Sequence, residues 1–493
     1  MSVLLPSAER LAASDSALAS LPGFSNHEPG VDEFAVLDPS TEQRIATLPS
    51  QSVDFALEQV GIADAAGRAW AKTTPRFRSD VLHRVYEVLI ANRERLAYVI
   101  SREMGKTLAE ANGEVQYAAD YVRWYADELL RPAGGFRENP AGGSTILIRR
   151  APVGLALLIA PWNFPMAMIT RKIAPALAAG CGAVIKPASL TPLTTLLTVE
   201  LMAEAGVPRE LMRVVTTKNS GAFSEAVLSD PRVRKVSFTG STGVGSELMG
   251  IAARNIVKSS MELGGNAPLI VFDDADLERA VEGALAAKLR NGGQSCVAAN
   301  RIYVQDGIAD AFVEAFSERM AQVKLGHSIA EGAGLGPMID DRAVQNFTRL
   351  VDDAVGRGAE LRAGGSAVDG AGYFFEATVL DRVPAEADIA NTEIFGPIAS
   401  ISRFTTQAEV LEAANDTPFG LAGYVFTENL DRALNVADAL ETGLVGINNG
   451  VPTTPAAPFG GVKQSGLGRE GSGEGLEEYQ EIRFYNISRR ETA

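Results

Sequence analysis

Between residues 155 and 262 short apolar runs recur at helix-length intervals, and few architectures accommodate that rhythm. Leu155-Ala156-Leu157-Leu158-Ile159-Ala160, Ala183-Val184-Ile185-Lys186, Arg213-Val214-Val215 and Lys235-Val236-Ser237-Phe238 are the runs. Continuous apolar strands alternating with helices imply a parallel sheet covered on both faces, the doubly wound arrangement of an α/β protein. Ligands in such sheets bind beyond the carboxyl ends of the strands. Pro161-Trp162-Asn163-Phe164-Pro165, Lys186-Pro187-Ala188-Ser189 and Thr239-Gly240-Ser241-Thr242-Gly243-Val244-Gly245 fall there.

The rest of the chain reads around that block. Phe34-Ala35-Val36-Leu37-Asp38-Pro39 predicts a strand ending in a proline turn, and Ser52 predicts the cap of a helix through Trp70. Val81, Leu82, Val85, Val88 and Leu89 form one stripe of a helix beginning near Ser79 and running on past Leu96. Residues 110–130 continue as a helix whose Tyr117, Tyr121, Trp124 and Tyr125 suit packing, with Pro132, Gly134 and Gly135 stopping it. Residues 144–148 predict an exposed strand or hairpin arm. A second alternating block runs over 268–445, with strands at 269–272, 301–304 and 423–426. The tail, 477–488, predicts a strand pairing with a neighbouring subunit.

At 493 residues the chain is too long for a single core and predicts about two or three domains. A net charge of −16 argues against nucleic acid and anionic membranes as partners, so an anionic substrate needs a local basic pocket. Two cysteines, Cys181 and Cys296, form neither a disulfide framework nor a metal site. With no signal-peptide core and no run of apolar residues long enough to span a bilayer, a cytoplasmic location is expected.

Asn291-Gly292-Gly293-Gln294-Ser295-Cys296 carries the chemistry. The glycines let small groups approach a thiol that bulkier neighbours would shield. With an ordinary thiol pKa of about 8.5, roughly 3 % is thiolate at pH 7, so the sulfur needs help. His27, His83 and His327 are the only histidines, all in unremarkable contexts. The nearer helper is Glu262 in Met261-Glu262-Leu263-Gly264-Gly265-Asn266, again beside a glycine pair. The bland alternative makes Cys296 a small core residue. Gly240 and Ser241 sit on a strand-to-helix turn that favours phosphate or is an ordinary tight turn, since its G-x-x-G-x-G spacing is not the dinucleotide fingerprint. Asn163, fixed between prolines, is either an amide aimed at a developing oxyanion or a turn former.

Taken together, Pro161-Trp162-Asn163-Phe164-Pro165, Lys186-Pro187, Phe238-Thr239-Gly240-Ser241, Glu262-Leu263-Gly264-Gly265, Gly293-Gln294-Ser295-Cys296, Glu393-Ile394-Phe395-Gly396-Pro397 and Pro458-Phe459-Gly460-Gly461 resemble, in order and spacing, the aldehyde dehydrogenase superfamily. The likeness runs from about residue 34 to 485. It implies a doubly wound cofactor-binding domain (1–129 and 147–262), an α/β catalytic domain (263–460) and a small β oligomerisation arm and tail (130–146 and 477–493). It further implies oxidation of an aldehyde to an acid through a cysteine thiohemiacetal and thioester. Cys296 is then the nucleophile, Asn163 an oxyanion donor and Glu262 the general base. Trp162, Lys186, Ser189, Gly240, Ser241, Leu263, Glu393 and Phe395 are then cofactor-binding residues, and no metal is involved. A homodimer or homotetramer is implied as well.

Residues 287–296 and 458–471 look like the succinate-semialdehyde dehydrogenase branch, which holds its substrate's distal carboxylate with arginines and a hydroxyl. Arg123, Arg290 and Thr453 match those roles; the bland reading pairs Arg123 and Arg290 with acids such as Asp120 or Asp127. Glutarate semialdehyde, another ω-oxo acid or a broader range of aldehydes is the alternative substrate. NAD-preferring relatives often carry Glu where this chain has Ser189, which leaves room for the 2′-phosphate of NADP, so NADP is expected to serve at least as well as NAD. Ala298 replaces the second cysteine common in the branch, which argues against a redox switch. A scaffold without catalysis and a nucleotide-independent thiol hydrolase are the competing readings from other classes.

Overall fold

A computed structural model describes residues 3–21, 31–131 and 134–488; His27, Pro132 and residues 489–493 lie outside them. Two open α/β sheets and a small arm organise the chain. The first sheet has the order Gly466–Leu467, Lys258–Glu262, Val233–Thr239, Leu155–Ile159, Ala183–Lys186, Met212–Val214. Of its five strand pairings four are parallel, and only the Gly466–Leu467 edge is antiparallel. Every residue of Leu155–Ile159 and Ala183–Lys186 is buried, as continuous apolar strands between two helical layers must be. Strand order reverses between Leu155–Ile159 and Val233–Thr239, so their carboxyl ends open the crevice where residues 161–165 and 240–245 lie.

The second sheet has the order Glu360–Ala363, Thr378–Asp381, Ile398–Phe404, Arg301–Gln305, Pro268–Val271, Ala422–Phe426, Leu444–Ile447. Only its Glu360–Ala363 edge is antiparallel. Phe312, Phe316, Phe347 and Phe375 fill the core beneath it.

Three expectations change. The helix expected from Ser79 past Leu96 is two helices, Pro75–Ala91 and Arg93–Met104. Thr74 caps the first by accepting from the Phe77 amide at 3.2 Å, with proline at the first turn, and Asn92 breaks the run by donating its Nδ2 to the Val88 carbonyl at 2.9 Å. The strands Ile398–Phe404 and Leu444–Ile447 carry serines and a glycine that mask their apolar pattern, and Thr378–Asp381 holds only two apolar residues between a threonine and an aspartate. The tail strand, Gln480–Ser488, pairs antiparallel with Ser144–Pro152 of its own chain rather than awaiting a neighbour's. Gly135–Glu138 completes that three-stranded arm. Among the described residues no helix is long and apolar enough to cross a membrane.

Candidate active site

Cys296 stands at the end of a turn that few sequences could form. The Leu277–Leu289 helix closes, and Asn291, Gly292 and Gly293 follow with φ of +59°, +62° and +75°. Glycine adopts that region freely, whereas asparagine does so at a cost offset by its side-chain bonds. A Cβ on Gly293 would collide with the Gly396 carbonyl, so the turn also packs too closely for any other residue. Asn291 Nδ2 donates to the carbonyls of Asn163, at 3.0 Å, and Gln294, at 2.8 Å.

Glu262 ends its strand at the carboxyl edge of the first sheet. The glycine pair after it has a steric reason, because a Cβ on Gly264 would sit 2.8 Å from Glu393 Oε2 and one on Gly265 2.6 Å from the Cys296 carbonyl. The two glycine-flanked segments therefore touch. Cys296, Glu262 and Asn163 line one cavity of about 250 Å³ together with Trp162, Gly240, Ser241, Leu263, Glu393, Phe395, Arg290 and Thr453. Trp162 and Phe395 meet edge to face at 5.4 Å, Phe395 holding a left-handed φ of +54°.

Burial governs the protonation of this site. It pushes the Cys296 thiol up to about 12; Arg171 pulls it down, while Glu262 and Glu393 push it further up. The free site thus holds a thiol at neutral pH. Burial and then Glu470 raise Glu262 well above the usual carboxylate range, against Arg171 and Lys172. One oxygen, Oε2, has no hydrogen-bond partner, and Gly460 makes room for the other. Glu393 is raised to about 7 by burial although it accepts from the Gly265 amide at 3.1 Å.

Asn163 donates its Nδ2 to the Gln294 carbonyl at 3.0 Å and accepts from the Phe164 amide at 3.1 Å. An amide nitrogen carries two hydrogens, so one remains for another acceptor. Lys186 closes its strand buried, its ammonium 3.5 Å from the Pro187 carbonyl and without a carboxylate partner among the described residues. Burial lowers it to about 8. Ser189 lies three residues on, half-buried, in the turn that leads to the Pro192–Glu204 helix. Neither Lys186 nor Ser189 lines the cavity that holds Cys296.

Arg123 is not brought to the site. Its guanidinium, half-exposed, pairs with Asp120 at 2.9 Å and stacks on Tyr86. Arg171, unmarked by any motif, lines the cavity instead. It is fully buried, packs 4.2 Å over the Phe459 ring and pairs with Glu470. Lys172 beside it reaches Glu470 Oε1 at 2.5 Å and Thr239 Oγ1 at 2.7 Å. The available signal was two adjacent cations inside Ala167–Ala179, a helix buried along its whole length. His83 pairs with Asp127 and His327 with Asp38, both away from the cavity.

The crevice fits a dinucleotide. A Cβ on Gly240 would strike the Phe238 ring and one on Gly245 the Leu263 side chain, so the backbone turn stays bare. Ser241 is exposed at the N-terminus of the Thr242–Arg254 helix and bonds no helix amide, leaving those donors free for phosphate. The unpaired Lys186 ammonium adds a donor near the same edge of the sheet.

With this geometry in place, the comparisons with known proteins are specific. The model of the aldehyde dehydrogenase family matches residues 26–485, and the chain belongs to that family. It is an NAD(P)-dependent oxidoreductase that converts an aldehyde to an acid. A succinate-semialdehyde dehydrogenase of Paenarthrobacter nicotinovorans is 47% identical over 444 residues, 90% of this chain and 99% of that protein. A glutarate-semialdehyde dehydrogenase of Pseudomonas putida is 47% identical over 453 residues, 92% of this chain and 94% of that protein. The crystal structure of an E. coli NADP dependent enzyme superposes with a TM-score of 0.91 at 44% identity, covering 93% of this chain and 95% of that one.

Proposed function

We propose that the chain oxidises a short aldehyde bearing a distal carboxylate, succinate semialdehyde first, with NADP serving at least as well as NAD. The observation that carries the substrate reading is the sharing of one cavity by Cys296 and the Arg290 guanidinium, which has no carboxylate partner among the described residues and donates to the Thr453 hydroxyl; Arg171 in the same wall is paired with Glu470. In a protein of net charge −16 such a cationic end selects an anionic substrate terminus. Relatives named for succinate and glutarate semialdehydes support the class.

Cys296 gives its proton to the ionised Glu262 carboxylate, which passes it to solvent, and the sulfur bonds to the aldehyde carbon. The carbonyl oxygen becomes an oxyanion held by the free N–H of the Asn163 amide and the Cys296 backbone N–H. Nicotinamide dinucleotide, when bound, would supply the hydride acceptor for oxidation of the thiohemiacetal on Cys296 to a thioester. Lys186 and Ser189 would hold its adenosine end, Gly240 and Ser241 its phosphates, and Trp162, Leu263, Glu393 and Phe395 its nicotinamide end. Glu262 then takes a proton from water, which attacks the thioester; the C–S bond breaks, the acid leaves and the sulfur recovers a proton. A carboxyl raised by burial is a strong base once ionised.

Ser189 supports NADP, since a small neutral residue near an uncommitted lysine admits a 2′-phosphate. The exposed Phe136, Ile482, Phe484 and Ile487 of the arm give it apolar area for self-association into a dimer or tetramer. Steady-state rates with aldehydes of three to six carbons, with and without a terminal carboxylate, against both cofactors test this reading. Higher kcat/KM for neutral aldehydes would refute the carboxylate preference.

A further inference from the structure

We infer that Glu110 is a positioning residue for the oxyanion hole, acting from the first turn of the Leu108–Glu128 helix; the inference rests on the site proposed above. As the third residue of that helix Glu110 closes a capping box with Thr107, its Oε2 accepting from the Thr107 amide at 3.1 Å and hydroxyl at 2.9 Å. A capping residue needs no more than that. Its other oxygen, Oε1, reaches 181 residues along the chain and accepts from the Asn291 amide at 2.6 Å. Asn291 is the non-glycine residue at the left-handed start of the turn that aims Cys296.

The opposite wall of the hole is tied to the same helix. One turn on, the buried Glu114 accepts from the amides of Met166 and Ala167 at 2.9 and 3.1 Å and from Lys106 Nζ at 2.5 Å. Lys106 in turn donates to the Asn163 carbonyl at 2.8 Å, the same oxygen that takes a bond from Asn291 Nδ2. Carboxylates four residues apart on one helix share a face. One therefore holds the segment that carries the Asn163 amide, and the other the segment that carries the Cys296 amide. An oxyanion hole works only while its two donors keep a fixed separation, and this helix sets it.

The test separates aim from folding. In E110A the pre-steady-state burst of reduced cofactor should fall by about tenfold or more. Alkylation of Cys296 by iodoacetamide should stay within about twofold of wild type, because displacing iodide builds no charge on an oxygen and needs no oxyanion donor. KM for the cofactor should not move, and E110Q, whose Oε1 can still accept from Asn291, should recover most of the burst. An unchanged burst in E110A overturns the inference, as does a burst that falls in step with alkylation or an E110Q as slow as E110A. Where E110A does not fold, E110D decides, since it keeps the charge but withdraws it from Asn291 by one methylene. A slow burst with ordinary alkylation supports the inference, and an ordinary burst overturns it. Should C296A still oxidise aldehydes, the site itself is misread; should C296A and N163A be slow while E110A is not, only the role of Glu110 falls.

Discussion

Arg290 Nη1 donates to Thr453 Oγ1 at 3.1 Å, joining two residues 163 positions apart at the end of the cavity that holds Cys296. The Arg290 guanidinium packs over the rings of Tyr117 and Phe164, and no carboxylate among the described residues pairs with it. Arg171, by contrast, already faces Glu470. The uncommitted charge in the cavity is therefore that of Arg290.

R290A should raise KM for semialdehyde acids by roughly 10- to 100-fold, the worth of a charge-assisted hydrogen bond, with a much smaller change for a neutral aldehyde of equal length. R123A should leave both within about twofold, because its partners are Asp120 and Tyr86. Equal effects of R290A on acid and neutral aldehydes would remove the carboxylate role.

The thiol of Cys296, pushed up to about 12 by burial, should show a pH profile of its own. Only the thiolate alkylates, so the iodoacetamide rate on the free enzyme should climb continuously from pH 7 to 10 without a plateau. Adding NADP should shift that climb to lower pH by bringing positive charge beside the sulfur. A plateau below pH 8 in the free enzyme would contradict the neutral thiol.

These two predictions draw on different sources, which shows what could be read from residues alone. Continuous apolar strands made the doubly wound sheet legible, and paired glycines marked Cys296 and Glu262 because close approach demands them. Arg123 misled because a helical arginine near tyrosines looks the same whether it faces a cavity or an acid one turn away. Arg171, Lys172 and Glu470 stayed hidden because their pairing crosses nearly 300 residues. Glu110 reads as a helix cap from sequence, and only the folded chain shows its second oxygen on Asn291.

On the proposed reading, cofactor choice turns on Ser189. If residue 189 faces the 2′-phosphate as proposed, S189E should raise KM for NADP by on the order of tenfold or more while KM for NAD falls or holds. Initial rates with each cofactor decide the matter, and an unchanged ratio would move phosphate recognition elsewhere.

Glu470 couples the site to stability. Burial raises its pKa, but Arg171 and Lys172 overcome that and hold it at about 2. A depressed carboxylate stabilises the fold above its unfolded pKa, near 4.5, and loses that contribution as pH falls toward 2. E470Q should cost about 3–5 kcal/mol at pH 7 by leaving two buried cations uncompensated, and should flatten the acid limb of a stability profile. Denaturation midpoints of both proteins from pH 7 to 3 check this, and a variant as stable as wild type at pH 7 would contradict it.

The most direct measurement is the rate of aldehyde-dependent NADP reduction by C296A beside wild type, with cofactor binding confirmed in both. A loss of about 10³-fold or more at unchanged cofactor affinity is the predicted result, since Cys296 is the only thiol among the residues lining the cavity. Turnover by C296A at the wild-type rate would contradict the account.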